Sequence, residues 1–323
     1  MKKNLSCVYF AYNRPDLIFK SLPNLLEKKF KRIYIFVDGA KNKKDLYLIK
    51  QTIKNIEILT KNKKSIIKTY YKKNLGIKKN FFKSLNYVFK REYKALIVED
   101  DCLVSNYFVK FCSNLLDIYK NEKKVWSISG YNVIDHKTQR YKKNFFFSKY
   151  FMVWGWATWS DRWFDFSKKP SYWTKWKNSK EFRSIFNSNY EFEYWLNIFN
   201  QVLSNKIKTW DYFIQLHFFK NNKYSIVPGV NMVKNLGFDK AATNTKDYNI
   251  YLDKKIQTTY KIKNQIKIKK INYNKRFDKL IFDIVHYGER LRANNLLKLI
   301  FYYFINFRRI FFKYLNKLIN FSF

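Results

Sequence analysis

The chain has 323 residues, enough for one large α/β domain or two modest ones with a sizeable buried core. Apolar residues make up 47% of the sequence and aromatic residues 21%, which excludes a chain that is disordered by composition. The formal net charge of +41 leaves two explanations open: an anionic partner, or a compositional bias toward Lys spread over the whole surface.

Strand and helix patterns alternate over residues 1–120. Buried strands are predicted at 5–12, 33–37, 66–71 and 94–98, and helices at 17–29 (capped by Asp16), 45–60, 77–91 and 107–119. This alternation predicts a mainly parallel sheet covered by helices. Ligands of such sheets bind beyond the carboxyl ends of the strands, where Asn13-Arg14, Asp38-Gly39 and the triad Glu99-Asp100-Asp101 lie. We therefore expect these three segments to share one crevice.

The composition of the sequence and the regularity of its pattern change after residue 120. Residues 125–245 are richer in aromatic side chains and less regular, whereas residues 254–276 carry many Lys and Arg and no acid. The segment 296–323 is also basic and rich in aromatic residues, which predicts an amphipathic helical tail. The predicted organisation is an α/β domain at 1–250 with halves 1–120 and 121–250, a basic connector at 251–276, and a C-terminal helical region at 277–323.

The acidic triad Glu99-Asp100-Asp101 directly follows the apolar run 95–98. Three adjacent carboxylates are costly to desolvate together unless a cation balances them. A hard divalent cation takes oxygen ligands and can bridge them to a diphosphate. The alternative is a solvated acidic turn. Because the chain has only 24 acids against 65 bases, a cluster at a strand end favours a cation and a diphosphate.

Other cofactor and catalytic motifs are missing from the sequence. It contains no GxGxxG, no GxxxxGK[ST] and no GxSxG, so the usual dinucleotide site, P-loop and nucleophile elbow are not predicted. The three His (His136, His217 and His286) have no i, i+4 pairing, which argues against zinc-dependent hydrolysis.

A set of motifs in a fixed order carries a family resemblance. They are Asn13-Arg14-Pro15 after the first strand, Val37-Asp38-Gly39, Asn74-Leu75-Gly76, Glu99-Asp100-Asp101, Trp154 to Trp159, Trp210-Asp211, and Asn231 to Phe238. Over residues 5–245 the chain resembles GT-A fold glycosyltransferases, in particular the bacterial group similar to the eukaryotic N-acetylglucosaminyltransferase I family. The resemblance implies a mixed, mainly parallel sheet sandwiched by helices. It also implies an inverting sugar transfer from a nucleotide-diphosphate sugar to a glycan or lipid-linked acceptor, in bacterial surface polysaccharide synthesis.

The resemblance also implies roles for the polar residues at the strand ends. Asp101 would bind a divalent metal, Mn or Mg, while Glu99 and Asp100 would contact the nucleotide sugar. Asp38 would hydrogen-bond the base, and Arg14 would lie near the nucleotide. The predicted nucleotide-sugar-binding set is completed by Asn74, Gly76 and Lys79. One departure is Asn244, which stands where the family often has a His and is a poorer metal ligand.

Asp211 is the candidate catalytic residue. A carboxylate within hydrogen-bond reach can take the proton that an acceptor hydroxyl loses as it attacks the anomeric carbon. The sequence alone equally allows a helix-start cap, a position where Asp is common. The resemblance favours the catalytic base, with Glu191 and Glu193 as reserve candidates.

Trp154, Trp156 and Trp159 are three Trp within six residues. Flat aromatic rings pack against the apolar C–H faces of sugars, so the resemblance favours an acceptor-binding wall. The alternative is a buried cluster, because Trp side chains are usually highly buried.

Two other functions compete with the transferase. The charge and the aromatic content suit a basic nucleic-acid-binding protein or a metal-dependent nuclease. A catalytically silent, membrane-bound interaction protein is the third possibility. We favour the transferase, with no nucleic-acid partner. We expect no signal peptide, membrane-spanning helix or disulfide framework, and place the protein in the cytoplasm at the inner face of the cell membrane, with the tail on anionic lipid rather than on a subunit.

Overall fold

The computed structural model describes residues 5–138, 144–166, 170–237 and 271–292, together with Ile300, Phe304 and Phe307. The strands are β1 Ser6–Ala11, β2 Ile33–Val37, β3 Ile66–Tyr70, β4 Lys94–Glu99, β5 Cys102–Val104, β6 Val125–Ser129, β7 Phe145–Ser148, β8 Trp156–Trp159, β9 Tyr224–Pro228 and β10 Val233–Asn235. The helices are α1 Pro15–Leu26, α2 Lys43–Thr60, α3 Ile77–Phe89, α4 Asn106–Ile118, α5 Asp135–Thr138, α6 Ser160–Asp165, α7 Trp173–Trp176, α8 Lys180–Ser184, α9 Asn189–Leu203, α10 Asp211–Lys220, α11 Lys275–Val285 and α12 Gly288–Leu291.

An eight-stranded sheet in the order β3-β2-β1-β4-β8-β6-β9-β7 forms the centre of the molecule. Strands β1 to β4, β6 and β9 run in one direction, and β7 and β8 run in the other. A separate antiparallel pair, β5 with β10, lies beyond the end of β4. The prediction of a mixed, mainly parallel α/β sheet is confirmed.

Helices cover both faces of the sheet because the strand side chains alternate between two apolar clusters. In β1, Cys7 and Tyr9 pack with residues of α1, α2 and α4, whereas Val8 and Phe10 pack with residues of α3, α9 and α10. A strand that is buried on both faces has no polar side, which explains the continuous apolar runs in the sequence.

The start of α1 differs from the sequence prediction. The helix begins at Pro15, with Arg14 as the N-cap residue and no side-chain cap hydrogen bond. Asp16 therefore lies in the first turn rather than capping the helix. Proline suits the first helical position because its missing N–H would have no partner there.

The segment 271–292 belongs to the folded unit. In α11, Phe277, Ile281 and Phe282 are buried in a third apolar cluster that also contains Trp195 of α9. Asp278 accepts hydrogen bonds from Ser148 Oγ at 2.5 Å and from the Lys149 amide at 3.2 Å. The predicted boundary between 276 and 277 thus falls inside a helix that packs on the core.

Most of the predicted connector, Asn244 and nearly all of the tail 296–323 lie outside the described residues, so lipid docking by the tail stays a prediction. Within the described parts of the chain, no helix is both long enough and apolar enough to cross a bilayer.

Candidate active site

The ends of the four parallel strands meet in one hydrogen-bonded crevice. After β1, the Tyr12 amide donates to Asp100 Oδ2 at 3.1 Å, which ties the end of β1 to the end of β4. The Tyr12 hydroxyl donates to Asp45 of α2 at 2.8 Å and accepts from Asn74 Nδ2 at 3.4 Å. Asp38 joins the same network through Asn74. The strand-end segments that the sequence predicts as neighbours are therefore brought together.

Asp38 holds the turn that follows β3. Its Oδ1 accepts from the amides of Gly39 and Leu75, each at 2.9 Å. Its Oδ2 accepts from the Gly76 amide at 3.0 Å and from Asn74 Nδ2 at 3.3 Å. These four bonds occupy the usual acceptor positions of a carboxylate. Asp38 thus stabilises the turn of residues 74–76, and its predicted hydrogen bond to a base stays a prediction.

Two backbone segments come very close beside Asp38. A Cβ placed on Gly39 would lie 2.3 Å from the carbonyl carbon of Lys73, so only glycine fits at this position. Gly76 has a φ of 75° and is the N-cap residue of α3, and its amide is one of those that donate to Asp38. The sequence motifs Asp38-Gly39 and Asn74-Leu75-Gly76 therefore form one packed unit.

The Lys that the sequence assigns to the nucleotide-sugar site is on the surface. Lys79 lies on α3 and is exposed. Its neighbour Lys78 is half-buried, and its Nζ lies 3.6 Å from the ring centroid of Phe213 in α10. Burial lowers the pKa of Lys78. Lys78 thus contacts α10, the helix that begins with Asp211. The sequence pattern did not distinguish Lys78 from the other Lys residues of α3.

The acidic triad forms a cluster of carboxylates that repel one another. Burial raises the pKa of Glu99 well above its usual range, and the nearby Asp101, Asp100 and Asp211 raise it further. Burial also raises the pKa of Asp100 to about 7, with Asp101 adding to the rise. A cation placed among these oxygens would relieve both the desolvation and the repulsion.

Asp101 is surrounded by groups that favour its charged form. Burial raises its pKa, while the Cys102 thiol, the Arg14 guanidinium and the Asn235 amide act in the opposite direction. The thiol donates to Asp101 Oδ1 at 3.4 Å. Asn235 Oδ1 in turn accepts from the Gly237 amide at 2.5 Å. The β5–β10 pairing, which places Asn235 opposite Cys102, positions this set.

Gly237 marks a close approach to the same carboxylate. A Cβ on Gly237 would lie 2.4 Å from Asp101 Oδ2, 2.9 Å from Asn235 Oδ1 and 3.2 Å from Arg14 Nη1. Three segments of the chain therefore meet here: the end of β4 with Asp101 itself, Arg14 after β1, and residues 235–237 at the end of β10. Among the predicted metal and nucleotide residues, Arg14 and Asp101 are the pair that shares this point.

The carboxylates near Asp101 suit a divalent cation that also takes oxygen atoms from a bound ligand. Within the described residues, no group of three or more His, Cys, Asp or Glu side chains is arranged to hold a metal ion by itself. Mg²⁺ sites commonly use one or two carboxylates together with phosphate oxygens and water. A crowded cluster of carboxylates with raised pKa values, one of them beside an Arg, fits that kind of site.

Asp211 is the first residue of α10. Thr209 Oγ1 donates to its Oδ1, and the backbone amides of Asp211 and Tyr212 also lie against the carboxylate. Burial nevertheless raises the pKa of Asp211 to about 6. Asp211 therefore lies in the first turn of α10, whose N-cap residue is Trp210, and does not cap the helix. Its carboxylate is mostly ionised at neutral pH but is more basic than that of an exposed Asp.

A pocket of about 140 Å³ opens beside Asp211. Its walls are mostly aromatic and apolar, and they include Tyr131, Met152 and Trp154. Gln215 also lines the pocket, but its side chain is engaged with the backbone of Phe151 and Lys149. Asp211 also raises the pKa of Glu99, so the pocket-lining carboxylate is close enough to the acidic cluster to repel it.

Of the three Trp residues predicted to bind the acceptor, one lines the pocket and two lie in the core. Trp154 is half-buried, lines the pocket and packs edge-on against Tyr131 with ring centroids 4.6 Å apart. Trp156 is 1% exposed and stacks on Trp126, while Trp159 is 0% exposed and donates to the Leu116 carbonyl. The prediction of acceptor contact is wrong for Trp156 and Trp159, because side chains facing alternate sides of β8 are both enclosed by helices.

The reserve candidates for the base are excluded by their surroundings. Glu191 is buried, pairs with Lys149 Nζ at 2.8 Å and accepts from the hydroxyl of Tyr150. Glu193 is exposed on α9 and does not line the pocket. His286, which the sequence left without a role, does line it. No local motif predicts that His286 lines the pocket, because α11 packs against a part of the chain that is distant in sequence.

Comparisons with known proteins give weak likenesses. No protein-family model and no curated protein matches the chain. Similar solved structures include the mannosyltransferase PcManGT from Pyrobaculum calidifontis in complex with GDP-Man and Mn²⁺, with a TM-score of 0.35 and 13% identity over 48% of this chain and 44% of that one. The chain thus spans less than half the length of that enzyme.

Two further structures show likenesses of the same order. A 4-diphosphocytidyl-2C-methyl-D-erythritol synthase from Anaerococcus prevotii has a TM-score of 0.35 and 11% identity over 70% of this chain and 86% of that one. The bifunctional glycosyltransferase WbbM, in its apo form, has a TM-score of 0.32 and 8% identity over 51% of this chain and 33% of that one. Likenesses this distant establish neither a shared activity nor residue roles, which have to be argued from the site itself.

Proposed function

We propose that this protein is a metal-dependent, inverting glycosyltransferase of the GT-A type, related to the bacterial group similar to N-acetylglucosaminyltransferase I. Its donor is a nucleotide-diphosphate sugar, and its acceptor is a glycan or a lipid-linked glycan of bacterial surface polysaccharide synthesis. The observation that carries the proposal is the convergence of Arg14, Asp101 and Gly237 at the strand ends, while Asp211, which raises the pKa of Glu99 in the same triad, lines an aromatic pocket.

The donor is placed in the strand-end crevice. Arg14 provides a fixed positive charge for the phosphates, since guanidinium groups bind phosphate oxygens with directed hydrogen bonds. Glu99 and Asp100 lie at the sugar side of the same crevice. The turn of Asn74 and Gly76, fixed by Asp38, forms the wall next to the nucleoside.

Asp101 would hold the cation, Mn²⁺ or Mg²⁺, together with the diphosphate of the donor. When bound, the cation neutralises the charge that develops on the leaving nucleoside diphosphate. Asn235 and the Cys102 thiol orient the Asp101 carboxylate, since each donates a hydrogen bond to it. Such neighbours keep a metal ligand in a productive orientation.

Asp211 acts as the general base. Its carboxylate accepts the proton of the acceptor hydroxyl as that oxygen attacks the anomeric carbon from the side opposite the diphosphate. The pKa of about 6 leaves the group ionised at neutral pH, yet makes it more basic than an exposed Asp. Thr209 and the amides at the start of α10 hold the carboxylate in place. Trp154 offers a ring against which the acceptor sugar packs.

A donor-hydrolysis screen tests this proposal. The purified chain is incubated with a panel of UDP-, GDP- and CDP-linked sugars and Mn²⁺, and the released nucleoside diphosphate is measured. We expect release from one donor class, with loss of release on addition of EDTA. The variant Asp101→Asn should lose the metal-dependent part of donor binding. If no nucleotide sugar binds or is hydrolysed, the proposal is wrong.

The high positive charge calls for a second measurement in the same preparation. A salt titration of DNA binding separates a nucleic-acid-binding protein from a transferase, because contacts with phosphates give a steep dependence on salt. Strong DNA binding without binding of UDP or GDP would favour the nucleic-acid function. We place the enzyme at the inner face of the cell membrane, where a lipid-linked acceptor is available.

A further inference from the structure

The pocket beside Asp211 is closed on one side by α11, a helix outside the region of family resemblance. Val285 and His286, at the end of α11, line the pocket together with Asp211 and Tyr212 of α10. Helix α11 is held in place at its other end, where buried Asp278 is bonded to Ser148 and to the Lys149 amide. The pocket is therefore incomplete without the C-terminal part of the fold.

His286 is held firmly but keeps one ring nitrogen available. Its ring packs edge-on against Trp195, with centroids 4.7 Å apart, and lies near Tyr194 and Phe282. Nδ1 is hydrogen-bonded to the Tyr194 hydroxyl at 3.0 Å. Within the part of the chain that the structure describes, this is the only hydrogen bond of the imidazole, which leaves Nε2 for a ligand of the pocket. Burial lowers the pKa of His286 to about 3, so the imidazole is neutral at working pH.

The size and the lining of the pocket suit one sugar ring. A cavity of about 150 Å³ with apolar walls admits a benzene ring, so a pocket of about 140 Å³ that is open on one side has room for the six-membered ring of a sugar, with some of its substituents outside the pocket. A pyranose has apolar C–H faces for the aromatic walls and hydroxyls at its edge for a few polar groups. Asp211 and His286 are polar groups at two places in the lining, one on α10 and one on α11.

Building on the proposed function, we propose that His286 and Val285 select the acceptor. The terminal pyranose of the acceptor occupies the pocket, with the reacting hydroxyl toward Asp211 and a second hydroxyl hydrogen-bonded to His286 Nε2. Val285 limits the size of the substituent that fits beside that second hydroxyl. His286 is thus a positioning and specificity residue, and it takes no proton in the reaction.

Two variants of His286 separate binding from structural support. The Asn side-chain amide reaches the place of Nδ1, so His286→Asn keeps a partner for Tyr194 but removes the distal nitrogen. The Gln side chain reaches the place of Nε2, so His286→Gln keeps the distal group and gives up the bond to Tyr194. A structural role would make Asn the milder change, whereas the proposed role makes Gln the milder one.

The test uses methyl glycosides of glucose, galactose, N-acetylglucosamine and N-acetylgalactosamine as probes. Saturation-transfer NMR is recorded on the full chain with UDP or GDP and Mn²⁺ present. We expect at least one glycoside to bind, with signals strongest on the C–H protons of one ring face. His286→Asn should weaken its binding about threefold to tenfold, the effect expected for one hydrogen bond, and His286→Gln should recover part of the loss. Val285→Trp, which fills the pocket, should abolish binding.

Glu289→Gln serves as the matched control, because Glu289 is exposed on α12 and does not line the pocket. The nucleotide signal in the same samples reports on the donor crevice and on the integrity of the fold. If nucleotide binds but no glycoside does, or if the His286 variants bind glycoside as the unmodified chain does, the pocket assignment is wrong. If the nucleotide itself fails to bind, the proposed function fails, which is a distinct result.

Discussion

The strand-end crevice and the aromatic pocket are adjacent but are built in different ways. The crevice consists of short segments that directly follow parallel strands, and its polar side chains are bonded to one another, as Tyr12, Asp38 and Asn74 show. The pocket consists of bulky side chains from distant parts of the chain, from Tyr131 to His286. A parallel sheet brings its strand ends together by topology alone, whereas the pocket depends on how helices pack. We therefore expect substitutions in the two regions to affect different steps.

The largest expected effect is at the point where the two regions meet. Asp211→Asn keeps the shape of the side chain but removes its basicity, so kcat should fall about 10²–10⁴-fold, the usual contribution of a general base. Donor binding should be retained, because the crevice is not altered. The measurement is kcat for transfer, or for donor hydrolysis with water in place of the acceptor. Glu193→Gln on the exposed side of α9 is the control, and a loss of kcat below tenfold for Asp211→Asn would contradict the role.

The next effect is confined to the crevice. Gly237→Ala places a methyl group 2.4 Å from the position of Asp101 Oδ2, so the Asp101 carboxylate and the segment of residue 237 cannot both keep their positions. We expect metal-dependent nucleotide affinity to fall about 10–100-fold, the range seen when residues next to metal ligands are changed. Isothermal titration with UDP or GDP in the presence of Mn²⁺ measures this. Lys234→Ala in β10 is the control. Equal nucleotide affinity in the two variants would contradict the assignment of Asp101 as the metal ligand.

The pH dependence of kcat should report on Asp211 rather than on an exposed carboxylate. The base is active when ionised, and burial raises its pKa to about 6. At saturating donor, metal and acceptor, kcat should be constant above about pH 7 and fall tenfold per pH unit below 6. A profile that stays flat to about pH 5 would mean that another group accepts the proton.

The smallest effect concerns the stability of the crevice itself. Tyr12→Phe removes the hydroxyl that donates to Asp45 at 2.8 Å and accepts from Asn74. The free energy of unfolding should fall by about 1 kcal/mol, the net value of an ordinary hydrogen bond. Urea denaturation measures it. Tyr93→Phe is the control, since Tyr93 is 53% exposed. If both variants unfold alike, the network contributes no stability of its own.

The same contrast explains what the sequence could predict. The strands and helices of residues 1–120 follow from apolar periodicity, and the meeting of Arg14, Asp100 and Asp101 follows from parallel pairing. The fate of the Trp cluster could not be predicted, because Trp154, Trp156 and Trp159 have the same chemistry and only tertiary packing decides which one faces a cavity. The four hydrogen bonds to the Asp38 carboxylate could not be predicted either, because they depend on the close approach of the Gly39 and Lys73 backbones. His286 contacts residues of α9 that precede it by about 90 positions in the sequence, and no periodic pattern indicates such a contact.

The four hydrogen bonds to Asp38 have a thermodynamic consequence for ligand recognition. Ordering a loop when a ligand binds lowers affinity, because the loop loses conformational entropy at that moment. The turn of residues 74–76 has already lost that entropy when the chain folds, since Asp38 fixes its amides. A nucleotide that binds against this turn therefore meets a rigid surface, and its binding should show a heat-capacity change no larger than the apolar area of the nucleotide itself would produce.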